Sequence, residues 1–152
     1  MQEEDAHDIC DENNILNQIS NIMFTIEAIK TAHAKVKTGA DYPAYVREIL
    51  AMGVTGYETR VNDGKTTYFG SGNFQIRSGA KYGSISVAEK SSRAKFQEDL
   101  KAHQRGATDF LTFCLDSARS GVEKWIVDMS AMTCTYYDKE GAILAVEPIP
   151  GL

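Results

Sequence analysis

The chain has too few cysteines to staple a fold. It carries three in 152 residues, Cys10, Cys114 and Cys134. They form no C-x-x-C and no pair at metal-ligand spacing, which excludes a disulfide framework and a closed four-ligand zinc site. Free thiols and an odd count fit a reducing compartment, so the expected location is cytoplasmic. Long apolar runs are missing too: none approaches the roughly 18 residues of a membrane span. The first 22 residues contain no Lys or Arg, which excludes a basic-headed secretory signal. No G-x-S-x-G, Walker or H-E-x-x-H string occurs. No low-complexity linker divides the chain, so a single domain is expected, long enough to bury a substantial core.

Charge is unevenly spread. The net charge is −5, yet residues 1–22 hold Glu3, Glu4, Asp5, Asp8, Asp11 and Glu12 with no base, a total of −6, so the remainder carries +1. A near-neutral body with mixed signs lacks the basic stripe of a nucleic-acid binder. The acidic stretch reads as an N-terminal extension, 1–22, partly disordered by its composition. Residues 23–152 read as the domain.

What is present is a pattern written twice. At an offset of 68 positions, Asp41 aligns with Asp109, Tyr42 with Phe110, and Tyr45 with Phe113. Gly53 aligns with Gly121, Val54 with Val122, Tyr57 with Trp125 and Val61 with Met129. Tyr68 falls on Tyr136 and Phe69 on Tyr137, all without a gap. Two copies are too few for a solenoid, so a pseudo-twofold single domain is expected, with copies at about 23–88 and 89–152.

Each copy reads helix, helix, then strands. Helical spacing of apolar residues runs from Ile15 through Ile29, His33 and Val36, as one long helix over about 13–37 or, the preferred reading, with a new helix starting at Thr25, Glu27 in its first turn, after a break at Met23-Phe24. Asp41 and Asp109 stand at N-cap positions, and Pro43 is tolerated in a first turn. The helix over 42–52 presents Tyr42, Tyr45, Val46, Ile49 and Met52. Its counterpart over 110–120 presents Phe110, Phe113, Cys114, Ser117 and Ala118. Gly53 and Gly121 sit where a left-handed C-cap is wanted. Alternation of period two then predicts strands near 55–61, 65–70 and 73–78, a further one near 84–87, and three more near 123–130, 133–138 and 142–146. Ser91 or Ser92 caps a helix carrying Phe96, Leu100 and His103. Asn62-Asp63-Gly64 signals a hairpin, and Ser130-Ala131-Met132 a looser turn. Together these predict an α+β fold: an internal pseudo-duplication of helix-helix-strand-strand-strand units forming a largely antiparallel sheet covered by helices.

Candidate chemistry is sparse. Gly70-Ser71-Gly72 is half a dinucleotide fingerprint but lies between strands, so a tight turn accounts for it better. His7 and Cys10 offer two ligands, short of a closed site; no metal and no cofactor is expected. His33 and His103 occupy similar places on the first helix of each copy; either they form a paired site or they pack at helix ends. Glu58 and Arg60 share the strand face opposite Tyr57, with Asp128 matching Arg60. They suit an acid/base pair or, more simply, cross-strand ion pairs on a solvated face. Tyr57, Tyr68, Trp125 and Tyr136 would meet near a pseudo-axis. They suit the core, or an apolar groove with hydroxyls and an indole N–H, as small-molecule sites have. The ligand-binding candidates are therefore Tyr57, Glu58, Arg60, Tyr68, Trp125 and Tyr136; no residue is assigned as catalytic.

From Met23 onward the chain resembles a bacterial family of YbcV/YdfO-like proteins often labelled "phage envelope protein". The stretches that carry this are Phe24-Thr25-Ile26-Glu27-Ala28-Ile29, Gly39-Ala40-Asp41-Tyr42-Pro43-Ala44-Tyr45 and Gly53-Val54-Thr55-Gly56-Tyr57-Glu58. Gly121-Val122-Glu123-Lys124-Trp125 and Met132-Thr133-Cys134-Thr135-Tyr136-Tyr137-Asp138 extend it. The resemblance implies a small α+β fold and no activity, and it does not extend to residues 1–22. The leading expectation is a small cytosolic, non-enzymatic module that binds a small molecule or a protein. The alternatives are a small enzyme using a Glu/Arg/Tyr/His cleft, and a phage-associated accessory protein. No nucleic-acid or membrane partner is expected; a homodimer is compatible.

Overall fold

Helix starts follow the caps. The Thr25 hydroxyl accepts the Ala28 N–H at 3.2 Å and opens α1, Ile26–His33. A 3-10 turn, Gly39–Asp41, leads into α2, Tyr42–Met52, which buries Tyr45, Val46 and Ile49 and stops at Gly53 with φ 111°. Three strands follow: β1, Gly56–Arg60; β2, Thr66–Phe69; and β3, Gln75–Arg77. Ser92 caps α3, Arg93–Gln104, and Asp109 caps α4, Phe110–Arg119, accepting the Thr112 N–H at 2.7 Å. The chain then runs through β4, Val122–Asp128, β5, Thr133–Asp138, and β6, Ile143–Pro148. This computed structural model describes residues 23–37 and 39–149. The acidic extension, with His7 and Cys10, lies outside them.

The strands form one antiparallel sheet in the order β3-β2-β1-β4-β5-β6, so the fold is α+β. One face is packed against the helices. Tyr57, Thr59, Thr66, Tyr68, Trp125, Val127, Cys134 and Tyr136 are buried there, in one cluster with Ile29, Val46, Ile49, Phe96 and Phe113. Period-two alternation puts Glu58, Arg60, Thr67, Lys124, Ile126, Thr135 and Tyr137 on the other face, where none is fully buried.

The central pair has a notable register. Glu58 pairs with Ile126, its own counterpart at the offset of 68; Tyr57 then pairs with Val127, and Thr59 with Trp125. Backbone conformation repeats at the same offset. Positive φ occurs at Gly53 and Gly121 (111° and 85°), at Gly64 and Met132 (77° and 54°), and at Asn73 and Gly141 (65° and 83°). The second turn thus has positive φ at a Met where the first has it at a Gly; Asp128 helps hold it by accepting the Ser130 and Ala131 N–H groups at 2.8 and 3.1 Å.

Three expectations are corrected. No strand forms over 84–87; the segment is tied by single bonds, Ile85 N–H to the Asn62 carbonyl at 2.7 Å and Ala88 N–H to the Ala118 carbonyl at 2.9 Å. Val87 is buried and Ile85 packs partly buried against the core, with no ladder of strand bonds. Asp41 does not cap α2 through its side chain; it accepts the Lys37 N–H at 3.0 Å, and its backbone is already helical after the 3-10 turn. The apolar spacing through Val36 does not extend α1, which ends at His33.

Candidate functional site

The sheet divides the predicted site residues into two groups. Tyr57, Tyr68, Trp125 and Tyr136 lie on the helix-covered face, each 7% exposed or less. Glu58 and Arg60 lie on the opposite face. Glu58 pairs with Lys124 at 3.0 Å, and Arg60 with Glu123 at 3.3 Å. Together with Lys65, Thr67 and Arg77 they line an open depression of about 250 Å³. The backbone of the sheet stands between the two groups.

The aromatics pack as two sets of matched pairs. Tyr57 and Tyr68 have ring centroids 5.5 Å apart, Trp125 and Tyr136 5.9 Å. His33 meets Tyr45 edge-on at 5.2 Å, and His103 stacks on Phe113, the counterpart of Tyr45, at 4.3 Å. The His103 Nδ1 also lies 3.1 Å from both oxygens of Thr108. Each histidine thus packs on one member of the 68-offset pair Tyr45 and Phe113, although the histidines themselves are two positions out of that offset. Burial, above all, raises the pKa values of Tyr57, Tyr136, Tyr45, Tyr42 and Tyr68. Their hydroxyls are therefore neutral hydrogen-bonding groups: Tyr42 bonds Tyr57, and Tyr136 donates to Glu147. Burial pushes the Cys134 thiol up to about 12 and raises Cys114 as well, so neither is a poised nucleophile.

A second cavity opens beside Tyr68, on the helix side. It measures about 230 Å³ and is lined by Ile26, Ile29, Lys30, His33 and Ala34 of α1 and the segment after it, by Tyr68, and by Ser78 and Lys81. Its wall is well held. Ser78 N–H donates to the Thr66 carbonyl at 2.9 Å and Lys81 N–H to the Asp63 carbonyl at 2.8 Å; the Tyr82 hydroxyl donates to the Val61 carbonyl at 2.6 Å. Ile26 and Ile29 form an apolar floor, and Lys30, His33 and Lys81 form the rim. Among the described residues these three make no ion pair with a carboxylate. The Lys81 ammonium lies 5.5 Å from the centre of the Phe110 ring. Desolvation lowers the Lys81 pKa; burial, and then the Lys81 charge, lowers that of His33. An anion placed among them would relieve both penalties.

At the offset of 68 the surroundings of Tyr136 differ from those of Tyr68. Tyr136 corresponds to Tyr68, and its hydroxyl donates to Glu147 at 3.2 Å; the Gln104 amide also donates to Glu147. Position 79, the counterpart of 147, is Gly, and β3 stops at Arg77 where β6 runs on to Pro148. Of the cavity residues, the sequence pattern singled out Tyr68 and His33. Ile26, Ile29, Lys30, Ser78 and Lys81 were missed; the Gly79/Glu147 mismatch at the offset was the available signal. Among the described residues no three His, Cys, Asp or Glu side chains are placed to hold a metal ion, and no helix is long and apolar enough to cross a membrane.

The chain belongs to the family described as "Protein of unknown function (DUF1398)", whose profile matches residues 30–148. No curated protein matches it.

Proposed function

We propose that this member of the family is a cytosolic, non-enzymatic binding module whose ligand is a small apolar body bearing one anionic group. The observation that carries this reading is the cavity beside Tyr68: an apolar floor under a rim of Lys30, His33 and Lys81 with no carboxylate partner among the described residues. Small-molecule sites combine an apolar lining with a few polar groups that orient the ligand. The volume suits a body of roughly one aromatic ring, below the few hundred Å³ of drug-sized sites. The test is a thermal-shift screen of the full chain against carboxylates, sulfonates and phosphate monoesters of small aromatic and aliphatic bodies. Binders raise the melting temperature by mass action. They lose that effect in Lys30→Ala/Lys81→Ala, while Lys124→Ala, on the far face, keeps it. A screen without hits, or hits insensitive to Lys30 and Lys81, overturns the reading.

The same proposal takes the chain as one helix-helix-strand-strand-strand unit written twice. The symmetric register about Glu58 and Ile126 and the three repeated positive-φ positions support it. On this view the second copy closed its cavity with Glu147 and the first kept it open. A second reading, a protein-binding or homodimer surface on the uncovered sheet face, is favoured by Ile143 and Val146, which are 45% and 56% exposed. Sedimentation over a range of concentrations tests it, a constant monomer counting against self-association. An accessory role beside phage, suggested by the family resemblance, would use that same surface.

A further inference from the structure

We infer that the depression on the uncovered sheet face is a second ligand site, built for a small phosphorylated molecule that also carries hydroxyl groups. It is separate from the cavity beside Tyr68, because the strands stand between the two. Its lining is Glu58, Arg60, Lys65, Thr67 and Arg77, around a space of about 250 Å³.

Strand register gathers these side chains. Thr67 pairs with Glu58 on one side and with Arg77 on the other. The next row along the strands sets three cations abreast: Lys65, Arg60 and Lys124. Arg60 pairs with Lys124 of β4, and its N–H donates to the Lys65 carbonyl at 3.0 Å on the β2 side. Period two puts both rows on one face. Like charges directly opposite on neighbouring strands destabilise a sheet. Strand pairing does not require them. At the offset of 68 the five lining positions are Ile126, Asp128, Thr133, Thr135 and Ala145, with no cation among them. There Ile126 pairs with Thr135 and Asp128 with Thr133, in the matching register.

The local carboxylates do not saturate the cations. Glu58 pairs with Lys124 at 3.0 Å, Glu123 with Arg60 at 3.3 Å and Asp63 with Lys65 at 3.7 Å. Arg77 has no ion pair among the described residues. Exposed pairs hold their partners weakly, so they can open toward a better anion. Thr67 and Glu58 are half-buried, and Arg60, Lys65 and Arg77 stand exposed around them. A phosphate dianion suits that ring: guanidinium forks take its oxygens in pairs, and the lysine adds a point charge. The Glu58 carboxylate only accepts hydrogen bonds. Beside a phosphate it therefore asks for a donor on the ligand, which a hydroxyl supplies. The lining holds no aromatic ring, so it lacks the stacking platform of a single-strand nucleic-acid groove.

Titration of the isotope-labelled full chain with ribose 5-phosphate, followed by its amide resonances, tests this. Shifts are expected at Glu58, Arg60, Thr67 and Arg77. Shifts at Lys30 and His33 instead, or none at all, overturn the inference. Arg77→Ala removes an exposed side chain, so the rest of the spectrum should stay native. It should weaken binding by about tenfold or more, the loss of one charge-assisted contact; unchanged affinity overturns the site. Inorganic phosphate should shift the same amides but bind more weakly than the sugar phosphate, and Glu58→Ala should narrow that difference. Equal affinity for the two probes, or a difference that survives Glu58→Ala, overturns the hydroxyl-bearing class of ligand. A single-stranded oligothymidylate that shifts these amides at lower concentration than ribose 5-phosphate overturns the small-molecule reading in favour of a nucleic-acid strand.

Discussion

At the scale of single residues, Trp125 decides between core and groove. It is 7% exposed, with Phe113 and Tyr136 each 5.9 Å away and Phe110 at 6.4 Å. A ring enclosed on three sides by other rings is packing, so Trp125→Ala should cost about 3–5 kcal/mol, the range for a buried aromatic. Denaturant titration measures it, and a loss under about 1 kcal/mol would show a site with open space around the indole. The two C-terminal helix glycines should not behave alike. Both have positive φ, where a side chain costs about 1–2 kcal/mol. A Cβ at Gly53 would meet the tip of Met23 at 3.4 Å, an ordinary contact; at Gly121 it would lie 2.7 Å from the Ser91 Cα. Backbone cannot swing aside as a Met can. Gly121→Ala should therefore lower the melting temperature clearly more than Gly53→Ala, and equal losses would mean the 88–92 segment yields.

At the scale of elements, period and caps made most of the fold readable. The limits of α2 and α4 followed from an apolar stripe ending at Gly, and the strands from alternation bounded by turn residues. The strand expected over 84–87 failed because alternation alone cannot supply a pairing edge: both neighbours of β1 are already taken, by β2 and β4. The cavity was unreadable for a related reason. Lys30, on α1, and Lys81, in the segment after β3, meet only as lining of one cavity, a juxtaposition that no local pattern encodes. Turn chemistry carries its own pH dependence. In the β5–β6 turn Asp138 accepts the Ala142 N–H at 2.8 Å, the Ser91 hydroxyl at 2.9 Å and the Glu140 N–H at 3.0 Å. These bonds, the Ala142 one first, hold its pKa below the ordinary carboxylate value. The Thr112 hydroxyl and N–H do the same for the α4 cap, Asp109. A depressed pKa stabilises the fold above the unfolded value of about 3.9, and that contribution is lost as pH falls through the folded value. Asp138→Asn should thus lower stability at pH 7 and flatten its decline in acid. Parallel melting curves for the variant and the native chain across the acid range would show that this turn does not titrate in the way its bonds require.

At the scale of the whole molecule, the two halves differ in charge at positions 79 and 147, the first of them next to Ser78 of the cavity lining. In the second half a carboxylate, Glu147, takes the Tyr136 hydroxyl and the Gln104 amide. In the first half the corresponding position is Gly79, and a Cβ built there would meet nothing within 4 Å. The fold therefore has room for a side chain at 79 that it does not use. Gly79→Glu should rebuild the second half's arrangement in the first, with a carboxylate reaching Tyr68 and the charges of Lys30, His33 and Lys81. Its melting temperature should stay within a few degrees of the native value, since no buried atom is displaced. Its affinity for an anionic dye should fall by roughly tenfold or more, the equivalent of one lost close charge contact of about 1.4 kcal/mol. Gly79→Ala adds a methyl without charge and should bind as the native chain does. Because both substitutions leave Lys30 and Lys81 in place, a loss confined to the Glu variant reports the rim's charge and not a change of shape. Native affinity in Gly79→Glu would place the dye away from Lys30, His33 and Lys81.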